Sequence, residues 1–520
     1  MKLRRLKIYD IDYKPLMKGI DLFFDKQKDG SINTTCFVGV NGSGKSQVLE
    51  IIAEIFLFLE NVYRKENKIK NPFSPFAFRI EYELYKSNQE YLVIFECDKI
   101  KTKPNKIQTE IFKKDNNNET SVLDINEIDL YDFLPTKIIG YSSGANETLS
   151  IPFDSYYDEY AQYTYERAFG KVQGNDYEPN LYFMNYNTNL GIIISSLVFR
   201  DEISEIDVIL DKLNIQDLIS FTITIQTKQP SAPYRSKGGV ILTEELEDWK
   251  QKLIKIADIP VYDEKYKKHT LKFKLDETTR NAFKDNFSNA LELYTCLYKF
   301  ELLNNLIVDK TTREKIKKER KERKLLTKMP IVSDINKVLF YSELKFQLKN
   351  DQTIDYLSFS DGEHQFLNVF GTILIMKQDN CLFLLDEPET HFNPMWRRTF
   401  INVLEEITTG RKQDVFITTH SPFVVSDSKS EDVFIFKKID DALLIENPNN
   451  ETYGASFDNI LDMAFDIHIP ISENSLNEII ELQNENNPEK INDELSNFGD
   501  SLEKTSLRNR IILLNSNKKD

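Results

Sequence analysis

Two short stretches hold residue types that could do chemistry together. The first is Gly39-Val-Asn-Gly-Ser-Gly-Lys-Ser46, with three glycines, a lysine and a terminal hydroxyl in eight residues. Glycines let the backbone curl until successive N–H groups face one anion. The apolar positions that follow, Val48, Leu49, Ile51, Ile52, Ile55 and Phe56, have helical spacing. The loop therefore opens a helix, whose N-terminus adds partial positive charge. Lys45 adds a full charge, and Ser46 offers an oxygen to a divalent cation. The second stretch is Cys381-Leu-Phe-Leu-Leu-Asp386-Glu387, five apolar residues ending in two adjacent acids. A strand apolar on both faces belongs inside a parallel sheet, and the C-terminal ends of such strands point at the ligand crevice. Asp386 there can hold a cation's hydration shell. Glu387, one residue on, points elsewhere and can orient or deprotonate a water. Its bland alternative is a solvated acid at a strand end. The full G-x-x-x-x-G-K-[ST] pattern after an apolar strand is the more specific signal, and it calls for nucleotide phosphates.

Further groups stand at fixed distances. Ser360-Asp361-Gly362-Glu363 lies 26 residues before Asp386 and opens an apolar helical stretch. A Ser and a Gly at a helix N-terminus form a second anion site. The segment 388–394, "PETHFNP", follows the paired acids, and His420 ends "FITTH", 34 residues after Asp386. A histidine after a strand can sense a terminal phosphate through a charge-assisted hydrogen bond. The chain has five histidines, His269, His364, His391, His420 and His468, and three fall in these motifs. Taken alone, His364 and His391 read equally well as structural.

In this order the motifs resemble those of ABC-type ATPases: phosphate loop, signature, Walker B strand, D-loop and switch histidine. The resemblance implies an α/β P-loop ATPase head that uses ATP and Mg2+. It assigns the nucleotide to Gly39, Asn41, Gly42, Ser43, Gly44, Lys45, Ser46 and Gln47. The cation falls to Ser46 and Asp386, and catalysis to Glu387 and His420. In that family Ser360, Asp361, Gly362 and Glu363 cap the γ-phosphate held by another protomer, which implies a head-to-tail dimer or higher oligomer. The segment from Glu389 to Pro394 would face that neighbour. No Q-loop glutamine is found; "GYSSGANE", 140–147, stands in its place. More narrowly, "IIGYSSGANETLSIPF", "SFSDGEHQFLNVFGTIL", "LFLLDEPETHFNPMWRRTF" and "TYGASFDNILDMAFDI" look like the restriction-system-associated ATPases of prokaryotic defence islands, the Septu (PtuA-like) type that also serves as a retron effector. That likeness implies antiphage defence with a separate HNH-type (PtuB-like) nuclease. A nucleic acid or a retron reverse transcriptase with its msDNA are further partners it allows. A Toprim-type partner, as in PARIS-like systems, leaves nearly the same motifs. A RecF- or Rad50-like repair ATPase acting directly on DNA, and a scaffold using ATP only as a ligand, are the other readings.

These residues need a scaffold that brings positions 39–46 and 360–420 together. The expected answer is one α/β core split by an insertion: an N-terminal lobe over 1–155, a mainly helical insertion over 156–334, a second lobe over 335–470 and a polar helical tail over 471–520. Apolar strand-like runs such as "TTCFVGV" and "DVFITTH" supply the core. No apolar run is long enough to cross a bilayer, and the basic start lacks an apolar signal core, so a cytoplasmic protein without membrane contact is expected. Four well-separated cysteines fit a reducing compartment. The net charge of −16 argues against binding nucleic acid through the average field. One run opposes that field: 310–328 carries ten Lys or Arg against three Glu. It reads as a solvated helix or as a contact for phosphates.

Overall fold

The computed structural model describes residues 1–516 apart from 25–32, 70–71, 115–119, 145–147, 185–189, 229–238, 322–328, 331 and 441. The loop expected at "KKDNNNET", the end of "GYSSGANE" and the last third of the basic run lie largely outside the described residues.

The N-terminal part runs β1 (Lys2–Asp10), β2 (Asp21–Phe23), β3 (Asn33–Gly39), α1 (Lys45–Tyr63), β4 (Ala77–Lys86), β5 (Gln89–Cys97), β6 (Gln108–Lys114), β7 (Thr120–Val122) and β8 (Lys137–Ser142). The middle holds α2 (Ser150–Ala168), β9 (Leu181–Met184), α3 (Leu190–Val198), α4 (Ile206–Lys212), β10 (Ile215–Gln226), α5 (Glu244–Ile256), β11 (Ile259–Asp263), β12 (Lys268–Lys274), α6 (Glu277–Asn286), α7 (Ala290–Leu302) and α8 (Lys310–Lys321). Then follow β13 (Leu339–Leu348), β14 (Thr353–Asp355), α9 (Asp361–Ile375), β15 (Cys381–Asp386), α10 (Pro394–Thr408), β16 (Asp414–Thr419), α11 (Pro422–Ser426), β17 (Val433–Ile439) and β18 (Ala442–Glu446).

A seven-stranded sheet in the order β18-β17-β3-β16-β15-β8-β9 unites both ends of this sequence. Every pairing in it is parallel except β17 with β18. All six residues of β15 and of β16 are buried, as a central parallel strand requires. Register sets one level across the sheet: Ser142 of β8 pairs with Asp386 of β15, and Asp386 with Thr418 of β16. Gly140 of β8 has no room for a side chain, because a Cβ there would lie 2.6 Å from the Phe153 ring and 2.9 Å from Phe183. An antiparallel sheet, β2-β1-β4-β5-β6-β7, is formed by the N-terminal strands. Within it β4 and β5 form an antiparallel pair.

The α/β fold class is the one observed, and helices predominate between β8 and β13. The middle is nevertheless less helical than the sequence reading had it. Strands β10, β11 and β12 join β13 and β14 in a third sheet, ordered β11-β12-β10-β13-β14. In β12, Leu271 and Phe273 are buried between exposed Lys272 and Lys274, a period-two pattern that lysine-rich composition masks. The first strand of the expected second lobe, β13, belongs to this sheet and not to the parallel one, while β9 from the middle closes the parallel sheet's edge.

Part of the basic run is exposed, as a solvated helix would be, and part is not. Arg313 and Arg320 of α8 are buried, paired with Asp158 and Asp154 of α2, and Lys317 reaches Glu159 at 2.9 Å. Acids one helix away neutralise charges that the run alone shows as free.

Residues 456–520 form a separate compact unit with α12 (Phe457–Phe465), α13 (Glu473–Asn484), α14 (Pro488–Leu495) and α15 (Leu502–Ser516). Ile479, Leu482, Ile491 and Leu507 make its core. The unit starts earlier than the polar composition suggests, because α12 is included. Among the described residues, no helix is long and apolar enough to cross a membrane, and the four cysteines are buried and form no disulfide.

Candidate nucleotide site

The loop between β3 and α1 is held open by its glycines. Gly39 has φ 143° and Gly44, the N-cap of α1, has φ 97°, values that L side chains rarely adopt. A Cβ on Gly39 would also run into the Phe436 carbonyl of β17. Asn41 and Gly42 are exposed at the loop's crest. Ser43 is buried and its hydroxyl has no partner, an orphan that a phosphate oxygen would satisfy. Gln47 is half-buried on the first turn, its N–H bonded to the Gly44 carbonyl. The N–H groups of Lys45 and Ser46, the first two of α1, have no helical carbonyl behind them to accept.

Lys45 is 5% exposed and donates to the carbonyls of Gly39 (2.8 Å) and Val40 (3.2 Å). Burial lowers its ammonium to about 8, against the pull of Glu387 and Asp386. Ser46 Oγ donates to Asp386 Oδ1 at 2.6 Å, and Thr418 Oγ1 donates to the same oxygen at 2.5 Å. Ser142 Oγ donates to Oδ2 at 3.1 Å. Ser46 and Asp386 present only hard oxygen donors, the chemistry Mg2+ selects. The residues present therefore fit a magnesium nucleotide.

Glu387 is held in an unusual backbone conformation, φ 51°. Its N–H is tied to the Thr418 carbonyl and hydroxyl, both at 3.1 Å. Such strain in a residue with a Cβ costs about 1–3 kcal/mol and turns the side chain away from that of Asp386. Its carboxylate lies 3.4 Å from His420 Nε2 and 3.3 Å from Thr390 Oγ1. The hydrogen bond from His420 holds its carboxyl below the usual range despite partial burial. His420 Nε2 also stands 3.1 Å from Lys45 Nζ. Unprotonated, that nitrogen accepts from Lys45; protonated, it donates to Glu387. One atom thus links the phosphate lysine to the candidate base.

The cluster brings together Gly39, Lys45, Ser46, Asp386, Glu387 and His420, as the sequence suggests. The other predicted anion site engages different partners. Ser360 caps α9 and shares a capping box with Glu363, which accepts from the Ser360 N–H (2.7 Å) and hydroxyl (2.8 Å). Gly362 packs so closely on the His391 carbonyl that a Cβ would lie 2.6 Å from it. Asp361 is exposed in the first turn. Gln365 fastens α9 further: its Oε1 accepts from the His391 N–H (3.0 Å), and its Nε2 donates to Tyr141 Oη (2.7 Å). His364 is a core histidine, buried 4.2 Å from the Tyr356 ring.

The stretch Glu389–Pro394 departs from the expectation that all of it faces a neighbour. Glu389 is buried, accepts from Thr419 Oγ1, and has its second oxygen unpartnered. Burial pushes its carboxyl up to about 7. Phe392 is buried among Phe366, Phe370 and Phe400. His391, Asn393 and Pro394 are exposed. The sequence reading also passed over Ser142, Ser143, Thr390, Thr418 and Thr419. Their signal was a pair of hydroxyls at the C-terminal ends of β8 and β16, and one in the turn after β15.

Two curated proteins are similar over short stretches. Protein ea59 of Escherichia phage lambda is 27% identical over 116 residues, 22% of this chain and 21% of that protein. Retron Vc95 probable ATPase of Vibrio cholerae serotype O1 biovar El Tor is 26% identical over 118 residues, 21% of this chain and 23% of that protein. The chain spans about a fifth of the length of these curated relatives. Among solved structures, the SMC head domain from Thermotoga maritima aligns with 86% of this chain and 100% of its own at TM-score 0.32 and 12% identity. The SMC head bound to the C-winged helix domain of ScpA aligns with 86% of this chain and 98% of its own at TM-score 0.33 and 10% identity. The profile of the AAA_15 family, described as an AAA ATPase domain, matches residues 1–425, most of the chain and all of the site described above, and the chain belongs to that family.

Proposed function

We propose that this chain is the ATP-hydrolysing subunit of an antiphage defence system, that it works as a head-to-tail dimer or higher oligomer, and that its nucleotide state controls a separate HNH-type nuclease. One observation carries the ATPase part. Lys45, Ser46, Asp386, Glu387 and His420 meet within hydrogen-bond reach at one end of a parallel sheet. The defence part is supported by the Septu-type motifs and by similarity to a protein named as a retron ATPase.

Lys45 and the N–H groups opening α1 bind and orient the phosphates, and Ser46 and Asp386 hold Mg2+. Bound Mg2+ neutralises charge on the phosphates. Glu387 accepts a proton from the attacking water as its oxygen bonds the γ-phosphorus and the bond to ADP breaks. When phosphate takes the ammonium, His420 Nε2 loses Lys45 as a donor, and, carrying a proton, it donates to Glu387 or to a phosphate oxygen. Ser360–Glu363 of a second protomer close the opposite side. Nucleotide shifts the assembly only by its differential affinity for the closed form, and hydrolysis removes that difference.

The test joins three variants. Glu387→Gln keeps ATP binding and slows hydrolysis by roughly 10²–10⁴; turnover equal to wild type removes Glu387 from this role. Ser360→Arg keeps nucleotide binding but no longer shows an ATP-dependent rise in solution mass; an unchanged rise refutes the shared site. Lys45→Ala, in cells that express this chain from its native locus, abolishes protection against phage plaques. Wild-type cells without protection sink the defence reading, full protection by Lys45→Ala refutes control by nucleotide, and co-purification of a Toprim protein in place of an HNH protein redirects the partner.

A further inference from the structure

Two consecutive serines at the end of β8 reach both acids of the site. Ser142 stands level with Asp386 in the parallel register, and its hydroxyl donates to Asp386 Oδ2 at 3.1 Å. Ser46 and Thr418 occupy the other oxygen. Ser143 donates its N–H to the Asp386 carbonyl (3.2 Å) and its hydroxyl to Thr390 Oγ1 (3.3 Å). Thr390 Oγ1 in turn donates to the carbonyl (3.0 Å) and carboxylate (3.3 Å) of Glu387. Ser142 therefore acts on Asp386 directly, while Ser143 acts on Glu387 through Thr390.

We infer that Ser142 is a positioning residue for the divalent cation, and that Ser143 is a positioning residue for Glu387. The inference rests on the ATPase reading. A carboxylate gripped on one oxygen only can swing about its Cβ–Cγ bond. Ser46 and Thr418 grip Oδ1, so Ser142 on Oδ2 is what fixes the carboxylate plane. A fixed plane keeps lone pairs aimed at a hard cation, as partners behind metal ligands do elsewhere. Ser143 has no bond to the Asp386 carboxylate among the described hydrogen bonds, so its removal leaves the cation alone. It would loosen the Thr390 bridge that restrains Glu387 against its strained backbone.

The experiment titrates Mn2+ into the full chain with ADP, with bound Mn2+ read by electron paramagnetic resonance, and follows ATP turnover separately. Ser142→Ala raises the Mn2+ midpoint about tenfold or more, while ADP affinity without divalent cation is unchanged. Ser142→Thr, which keeps the hydroxyl, restores the midpoint. Ser143→Ala leaves the midpoint at the wild-type value and lowers kcat, and combining it with Thr390→Ala adds little. If Ser142→Ala fails to fold, Ser142→Cys carries the same test. A wild-type midpoint in the Ala or Cys variant, or a Thr variant as defective as Ala, overturns the role of Ser142. A shifted midpoint in Ser143→Ala, or an unchanged kcat, overturns the division between the serines. Wild-type protein that neither binds Mn2+ with ADP nor hydrolyses ATP refutes the ATPase reading itself.

Discussion

Nucleotide binding should draw a proton from solution, and the amount is set by Lys45. Its ammonium is buried and brought down from 10.5 to about 8, with burial the main cause and the Glu387 and Asp386 carboxylates opposing it. Phosphate beside Lys45 supplies anionic charge that favours the protonated form. Taking the bound value back to ~10.5, binding takes up ~0.1 proton at pH 7, ~0.5 at pH 8 and ~0.9 at pH 9. The same linkage weakens binding as pH rises: the Kd for a non-hydrolysable ATP analogue with Mg2+ increases about twofold from pH 7 to 8 and about tenfold from pH 7 to 9. Titration calorimetry in two buffers of different ionisation enthalpy reads the uptake directly. Lys45→Arg, whose guanidinium does not titrate, should bind with no such dependence if it binds at all. A buffer-independent enthalpy at pH 9, with affinity flat from pH 7 to 9, refutes the claim that burial depresses Lys45 and that phosphate relieves it.

Two further outcomes follow from the same side chains and their scaffold. Glu389 has its carboxyl raised by burial from 4.5 to about 7. The acid form is therefore accommodated in full below about pH 4.5, and that stability is lost as pH rises through about 7, to a limit of roughly 3 kcal/mol. Glu389→Gln should be more stable than wild type at pH 8 and not at pH 5, as measured by urea midpoints; a gain independent of pH would contradict the assignment. Gly140→Ala places a methyl against Phe153 and Phe183 and should cost about 1–3 kcal/mol, seen as a lower urea midpoint with an unchanged m-value. A neutral substitution would mean that the two rings move aside freely.

The ATP-site residues were legible where one residue type does a job that few others can. Lysine and glycine at fixed spacing mark the phosphate loop, and a buried strand ending in Asp386-Glu387 marks the cation and water positions. Helix periodicity found α1 because its apolar face turns inward. Side-chain direction was not legible. The sequence places Glu389 on a face toward a neighbour, yet the positive φ at Glu387 and the turn after it send Glu389 inward to Thr419. Nor did the sequence reveal that Asp154, Asp158 and Glu159 of α2 meet the arginines and Lys317 of α8, since more than a hundred residues separate them. The lysine-striped β12 was missed for a related reason: its pattern is visible only once Phe283 of α6 is known to pack on Phe273.

The hydroxyls around Asp386 decide which substitution tests the cation cleanly. Ser46, Ser142 and Thr418 come from α1, β8 and β16, and all three donate to one carboxylate. That carboxylate therefore ties three elements together even when no nucleotide is bound. Asp386→Ala removes the acceptor from all three at once. Each neutral hydrogen bond to a charged group contributes about 1.5–3 kcal/mol. Ser46 and Ser142 are half-buried and can turn to water, but Thr418 is fully buried. The Ala variant should thus lose about 2–4 kcal/mol, and a drop in ATP turnover would confound weak cation binding with a loosened sheet edge. Asp386→Asn keeps an oxygen for Ser46 and Thr418. Its amide faces Ser142, whose hydroxyl can rotate to accept. Removing the charge weakens the three bonds without orphaning a donor, so the expected cost is about 1 kcal/mol, while the ligand charge that Mg2+ needs is gone. Thermal unfolding and Mn2+ binding measured on both variants separate the two effects. Equal destabilisation by Asn and Ala would mean that the charge of Asp386, rather than its geometry as an acceptor, holds the three elements together.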